Sequence, residues 1–227
     1  MTIGVEIQGL ITPEKGWELQ EHIAAAEQSR WFHMSGLVGG AALELLQSEA
    51  TRAFTMLGRQ VVRVENPEAN TMHYRASYDK LILANDPKLR QQYMLTNLQG
   101  LADELTRWTS NVSNYVQLNK YYPGTMFEPH EDLELDKTPR VNIAVVAGIC
   151  EEGILQIYPN EVGDEQAKPA NIKLAPGDIA GLLSVDKDHE VFRSLWHAAY
   201  YPGNGVRITE AIALYGEPFE SVKTIPT

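Results

Sequence analysis

Apolar side chains recur at Trp17, Leu19, Ile23 and Ala26 behind a Thr12-Pro13-Glu14-Lys15 start, the pattern of an amphipathic helix over 12–29 with proline in its first turn. A second helical pattern covers 41–57 between Gly39-Gly40 and Gly58, with Leu43, Leu45, Leu46, Ala53 and Phe54 as its apolar positions. The longest covers 86–108, where Leu89, Tyr93, Leu95, Leu98, Leu101, Leu105 and Trp108 follow an Asp-Pro turn three or four residues apart. Residues 60–65 are a short β-branched run. Beyond Trp108 the texture changes. Short apolar runs at 112–122, 141–149, 153–158, 172–174, 179–183, 196–201 and 206–215 lie between clusters of Gly, Pro, Asn and Asp, which predicts seven strands of a sandwich or barrel. No internal repeat or low-complexity linker separates the halves. The expectation is therefore one domain over 1–227, mainly β with flanking helices, in which a mainly helical 1–110 packs outside a β core at 111–216.

Composition changes this picture little: 227 residues with 44% hydrophobic and 22% charged side chains are those of an ordinary folded domain. Charge excludes more. With 19 basic and 30 acidic residues the net charge of -11 repels polyanions, so nucleic acid is a disfavoured partner. No apolar run approaches the roughly 20 residues of a membrane-spanning helix, and the amino terminus carries no secretory pattern. The single Cys150 cannot form an internal disulfide and sits in an apolar run, so a buried, inert thiol and a reducing, cytoplasmic setting are expected.

Candidate chemistry begins with His130 and Asp132, two residues apart in Glu128-Pro129-His130-Glu131-Asp132, where an extended chain aims both side chains the same way. Alone, such a pair also fits a solvated loop. A third ligand is offered by His197, which opens the run Trp196-His197-Ala198-Ala199-Tyr200-Tyr201 before a Pro-Gly-Asn-Gly turn. On the returning strand Arg207, Thr209, Ala211 and Ala213 share one face, opposite Ile208, Ile212 and Leu214. An arginine facing a barrel interior is costly unless an anion meets its guanidinium fork, so a carboxylate ligand with Thr209 as a further donor is one reading and an internal salt bridge the other. Two histidines and a carboxylate form the facial set that leaves positions open on non-haem Fe(II).

At this point the chain resembles the Fe(II)/2-oxoglutarate-dependent dioxygenases, whose His-x-Asp, distal His and Gly-x-Arg-x-Ser/Thr are matched by His130, Asp132, His197, Gly205, Arg207 and Thr209. Tyr121-Tyr122-Pro123-Gly124 is similar to the strand leading into the metal pair, and the run from Gly153 to Pro159 is similar to a strand of prolyl-hydroxylase-like members. The resemblance covers roughly 111–215. It implies a double-stranded β-helix of the jelly-roll or cupin-like type, with His130, Asp132 and His197 as catalytic metal ligands for Fe(II). It also implies 2-oxoglutarate as cosubstrate held by Arg207 and Thr209, O2 as oxidant, ascorbate as reductant, and hydroxylation of a small molecule, amino acid or peptidyl, even prolyl, substrate with release of succinate and CO2.

Three departures bear on this. The strand at 141–147 lacks the tyrosine many prolyl-hydroxylase-like members carry there, so Tyr122 and Asn142 are substitute partners for the cosubstrate's far carboxylate. His189, in Asp188-His189-Glu190-Val191, imitates the distal ligand but stands too far from Arg207, and His197 ranks above it. His22, His33 and His73 fall in the helical half, where surface or packing roles are expected. Asp132 sets the chain apart from halogenating relatives, which lack the carboxylate, and the missing arginine after Arg207 argues against a nucleic-acid demethylase. A non-catalytic cupin-like module binding a small molecule in the same pocket is the rival of a different class. Tyr121, Tyr122, Tyr200 and Tyr201 either line the pocket or fill the barrel wall.

Overall fold

The structure is a computed structural model and describes residues 9–26, 28–83, 95–134, 140–158, 168–183 and 192–216. Helix α1 (Pro13–Ala25) begins where the sequence places it, with the Thr12 hydroxyl accepting from the Lys15 N–H at 3.4 Å and Pro13 in the first turn. Helix α2 (Gly40–Met56) matches the second pattern. Helix α3 (Thr96–Thr109) matches the C-terminal part of the third, whose start at 86 lies outside the described residues. Its first turn has no cap of its own. Glu49 of α2 supplies one from across the helix pair, its carboxylate accepting from the N–H groups of Asn97 (2.9 Å) and Leu98 (3.1 Å) and from the Asn97 amide (2.7 Å).

The strands are β1 (Trp31–Met34), β2 (Val62–Glu65), β3 (Arg75–Ile82), β4 (Val112–Tyr121), β5 (Thr125–His130), β6 (Leu133–Glu134), β7 (Arg140–Cys150), β8 (Gly153–Ile157), β9 (Ala170–Leu174), β10 (Ile179–Leu183), β11 (Phe192–Arg193), β12 (His197–Tyr201) and β13 (Arg207–Gly216). They form a nearly closed, jelly-roll-like sheet of order β1-β10-β7-β13-β4-β3-β5-β12-β8-β9, with β2 on the edge of β3. Strand β3 turns the corner: its end pairs antiparallel with β4, while Arg75 and Ala76 pair parallel with β5. Two walls result, β1-β10-β7-β13-β4-β3 facing β5-β12-β8-β9. All seven strands expected after Trp108 are present. The first 110 residues are less helical than expected, because β1, β2 and β3 lie there. The alternating charges of Arg75, Asp79 and Lys80 hide β3 from an apolar-run criterion.

Helices cover the outer face of the larger wall, where Leu19, Leu46, Leu98 and Leu105 pack with Leu118 and Ile143 in the main core. Between the walls two smaller clusters form, Leu155, Ile157, Leu174 and Leu182 on one side and Tyr78, Tyr121 and Tyr201 on the other. The cavity described below opens between them.

Glu210 breaks the apolar pattern of that main core. It is fully buried on the helix-facing side of β13, both its carboxyl oxygens are without hydrogen-bond partners among the described residues, and burial first and the charge of Glu49 second push its pKa well up. A carboxyl whose pKa is raised on folding binds its proton more tightly in the native than in the unfolded chain. Its contribution is therefore complete at acid pH and is lost as pH rises above the ordinary carboxylate range. Glu210→Gln is expected to remove that loss, so that its melting temperature gains on the wild type steadily from pH 5 to pH 8. Parallel melting curves across that range would refute the assignment.

Candidate metal centre

His130 is the last residue of β5 and His197 the first of β12, and the two are directly paired across the antiparallel ladder. A register shift between His197 and Ala199 makes room for this pairing. The ring centroids stand 4.2 Å apart, and Asp132, just past β5, places Oδ1 3.7 Å from the His130 Nε2 and Oδ2 3.7 Å from the His197 Nε2. One donor atom from each of the three lies within 4.8 Å of the others, a span a single ion can bridge.

Both imidazoles are set in the tautomer a metal needs. The Nδ1 of His130 lies 2.7 Å from the Glu128 carbonyl and that of His197 lies 2.9 Å from the Leu195 carbonyl, so Nδ1–H donates to the backbone and the Nε2 lone pair faces the shared point. Burial, and next the neighbouring His197, push the His130 pKa down to about 3, against the opposing hydrogen bond to Glu128. His130 is thus neutral at physiological pH. Asp132 is anchored to the segment before β12: its N–H donates to the Ser194 hydroxyl (2.9 Å), and the Ser194 N–H donates back to the Asp132 carbonyl (3.1 Å). Strands β6 and β11 pair immediately beyond this link.

Arg207 faces inward on the opposite wall, paired with Tyr121, and is fully buried. Its guanidinium lies 5.3 Å from the Tyr121 ring, and its only hydrogen bond among the described residues is a 3.5 Å contact from Nη1 to the Tyr200 carbonyl. Among the described residues Nε and Nη2 have no hydrogen-bond partner, and the buried hydroxyl of Thr209, two residues along the same face, has Tyr121 for its neighbour. Burial pulls the Arg207 pKa below its ordinary value, with Tyr121 and Tyr201 opposing. The internal salt bridge considered from the sequence is absent among the described residues. What remains is a planar fork with two unused donors, which suits a carboxylate.

A cavity of about 290 Å³ lies between the walls. His130, Asp132 and His197 line one side, while Tyr121, Ala211 and Ala213 line the other, continuing the inner face that carries Arg207 and Thr209. Glycine 153 gives Arg207 its space: a Cβ there would sit 2.3 Å from the guanidinium carbon. Gly153→Ala is expected to destabilise the protein by about 1–3 kcal/mol through this overlap. At this chain length that lowers the melting temperature by about 2–12 °C. An unchanged melting curve would show that Arg207 is not wedged there.

No protein-family model matches the chain, and no curated protein matches it. Solved structures do. The non-haem alpha-ketoglutarate-dependent epimerase SnoN of nogalamycin biosynthesis aligns with a TM-score of 0.58 at 12% identity, over 88% of this chain and 83% of its own. A Trichoplax adhaerens prolyl hydroxylase, solved with a hypoxia-inducible-factor peptide, gives 0.54 at 12% identity over 89% and 91%. A Pseudomonas putida prolyl-4-hydroxylase gives 0.51 at 14% identity over 87% and 99%. SnoN has also been solved with Fe3+, alpha-ketoglutarate and nogalamycin RO. The chain has the fold of the Fe(II)/2-oxoglutarate oxygenases.

Within this oxygenase fold the residues expected from sequence separate into two groups. His130, Asp132 and His197 come together, and Arg207 and Thr209 share the inner face opposite them. Tyr122 does not join them. Because Tyr121 pairs with Arg207 and faces inward, Tyr122 points outward, where its hydroxyl donates to Asp79 at 2.5 Å and its ring lies near Arg63 and Lys120. The residue beside the guanidinium is therefore Tyr121. Asn142 is on β7, with its side chain outside the described ones, and His189 lies outside the described residues altogether. Of the other tyrosines, Tyr201 is buried inward, whereas Tyr200 packs edge-on against Tyr74 at 4.9 Å. Sequence reading overlooked Gly153 as the space for Arg207, Ser194 as the anchor of Asp132, and Lys80 in the cavity wall. Gly153 was within reach, since a glycine opening an otherwise apolar strand signals a close approach.

Proposed function

We propose that the protein is a non-haem Fe(II)- and 2-oxoglutarate-dependent dioxygenase that hydroxylates an unactivated C–H group of a small molecule, amino acid or peptidyl substrate. The observation that carries this reading is the buried Arg207, whose Nε and Nη2 are unpaired among the described residues, on the wall opposite three convergent metal donors. A metal-binding pocket for neutral ligands has no use for that guanidinium. The donor set fits the ion: two imidazoles with free Nε2 lone pairs and one carboxylate suit Fe(II) and leave positions for a chelating cosubstrate. When bound, iron would activate O2, which supplies the oxidising power that side chains lack, while 2-oxoglutarate would give up two electrons and leave as succinate and CO2.

The chain's own contribution is position and exclusion of water. His130 and His197 are held by backbone carbonyls, Asp132 by Ser194, and Arg207 with Thr209 would receive the far carboxylate of the cosubstrate. Ala144, Ala199, Ala211 and Ala213 leave space between the walls while keeping them apolar. The fold likeness to prolyl hydroxylases and to an alpha-ketoglutarate-dependent epimerase supports the same chemistry.

The test has two arms. Mn(II) with N-oxalylglycine, an inert analogue of 2-oxoglutarate, is expected to raise the melting temperature more than either alone. Fe(II), 2-oxoglutarate and ascorbate are expected to give succinate, measured by NMR. A protein stabilised by neither component and releasing no succinate is a binding module.

A further inference from the structure

Lys80 is the one cation on the cavity wall that the proposed chemistry leaves without a task. It sits on β3, paired with Asn119 of β4, and both side chains line the cavity together with Gln117. Its neighbour Asp79 cannot neutralise it. Successive residues of a strand point to opposite faces, and Asp79 is turned outward to Arg63 at 2.9 Å and to the Tyr122 hydroxyl. Among the described residues Lys80 has no ion pair and no hydrogen bond. Among the described residues Asp132 is the only carboxylate lining the cavity, and it is engaged by the two imidazoles.

Charge then decides what Lys80 is for, on the reading given under Proposed function. With the Nδ1–H of both imidazoles given to backbone carbonyls and a lone pair of each turned to the ion, the two positive charges of Fe(II) and the one of Arg207 are matched by Asp132 and the two carboxylates of 2-oxoglutarate. The loaded site is neutral before Lys80 is counted. A lysine ammonium left over in a half-enclosed apolar cavity is an unbalanced charge. Beside it the Gln117 amide donates to Asn119 Oδ1 at 2.6 Å, which turns the Asn119 amide nitrogen into a donor available to a ligand next to Lys80.

We infer that Lys80, assisted by Asn119, is the specificity determinant for the primary substrate, and that this substrate carries a carboxylate, presented between the apolar walls with its remaining body toward the metal centre. This rests on the oxygenase reading and narrows it. Neutral substrates and prolyl residues inside a peptide, which have no carboxylate of their own, are the wrong class, whereas free carboxylic acids, free amino acids and carboxy-terminal residues are the right one.

The probes are benzoate and hexanoate, each compared with its neutral amide, added to protein already loaded with Mn(II) and N-oxalylglycine and followed by melting temperature. Both acids are expected to stabilise the wild type further and the amides to do so far less. Lys80→Met should weaken benzoate binding about tenfold or more, the loss of one charge-assisted hydrogen bond, and Lys80→Arg should retain it. Equal binding of acid and amide to the wild type overturns the inference without need of any variant, and so does undiminished benzoate binding by Lys80→Met. Displacement of N-oxalylglycine by benzoate would also overturn it, since Lys80 would then belong to the cosubstrate site. Failure of Mn(II) and N-oxalylglycine to stabilise the wild type at all is a different result, and it sinks the oxygenase reading itself. In that event the acid and amide pairs, tested on metal-free protein, still decide whether Lys80 selects a carboxylate.

Discussion

Replacing Asp132 with alanine is expected to abolish succinate release, leaving nothing above the no-enzyme background, and to remove the stabilisation by Mn(II). Asp132 is the only anionic member of the donor set, and without it two neutral imidazoles face the ion alone. The fold should survive the change. The Asp132 side chain is 42% exposed, and its link to Ser194 runs through the backbone N–H and carbonyl, which alanine keeps. The decisive measurement is therefore a pair: a far-ultraviolet melting curve close to that of the wild type without metal, and no further shift when Mn(II) is added. Turnover that persists in Asp132→Ala would show that the oxidising centre lies elsewhere.

The second large effect is expected at Arg207. Substitution by lysine keeps the charge but gives up the planar fork whose Nε and Nη2 are unpaired in the protein. Loss of charge-assisted hydrogen bonds of this kind costs about 1–3 kcal/mol, so the KM for 2-oxoglutarate should rise about 5- to 150-fold. The rate at saturating cosubstrate should change less, because Arg207 is on the opposite wall from the metal donors. Steady-state kinetics over a range of 2-oxoglutarate concentrations separates the two parameters. An unchanged KM would mean that the guanidinium is buried for a reason other than cosubstrate binding.

Much of this was legible in the sequence because the chemistry sits on regular strands. His130 and Asp132 obey the two-residue period, and Arg207 and Thr209 share a face with Ala211 and Ala213 for the same reason. Phase along a strand was where reading failed. Tyr121 and Tyr122 are adjacent and chemically identical, and nothing before the pairing of Arg207 with Tyr121 says which faces inward. Lys80 was hidden similarly, since Asp79-Lys80 reads as a surface ion pair until strand geometry sends the two side chains to opposite faces. Strands β1, β3 and β5 were missed because they are short or interrupted by charge and proline, and their neighbours in the sheet, not their own composition, make them strands. Glu210 is the opposite case. Its place among Ile208, Ile212 and Leu214 marks it as inward on the helix side, but no local rule predicts that a carboxyl is left there without a partner.

The two-residue ladder of β6 with β11, and the reciprocal bonds between Asp132 and Ser194 beside it, join the two chain segments that bear the metal donors. This joint is made of backbone and one hydroxyl, so it closes without any ion. The backbone amides of Asp132 and Ser194 should exchange slowly with deuterium in chelator-treated protein as well as in the loaded form. Iron would then enter a site whose donor-bearing segments are already joined, with little loss of conformational entropy on capture.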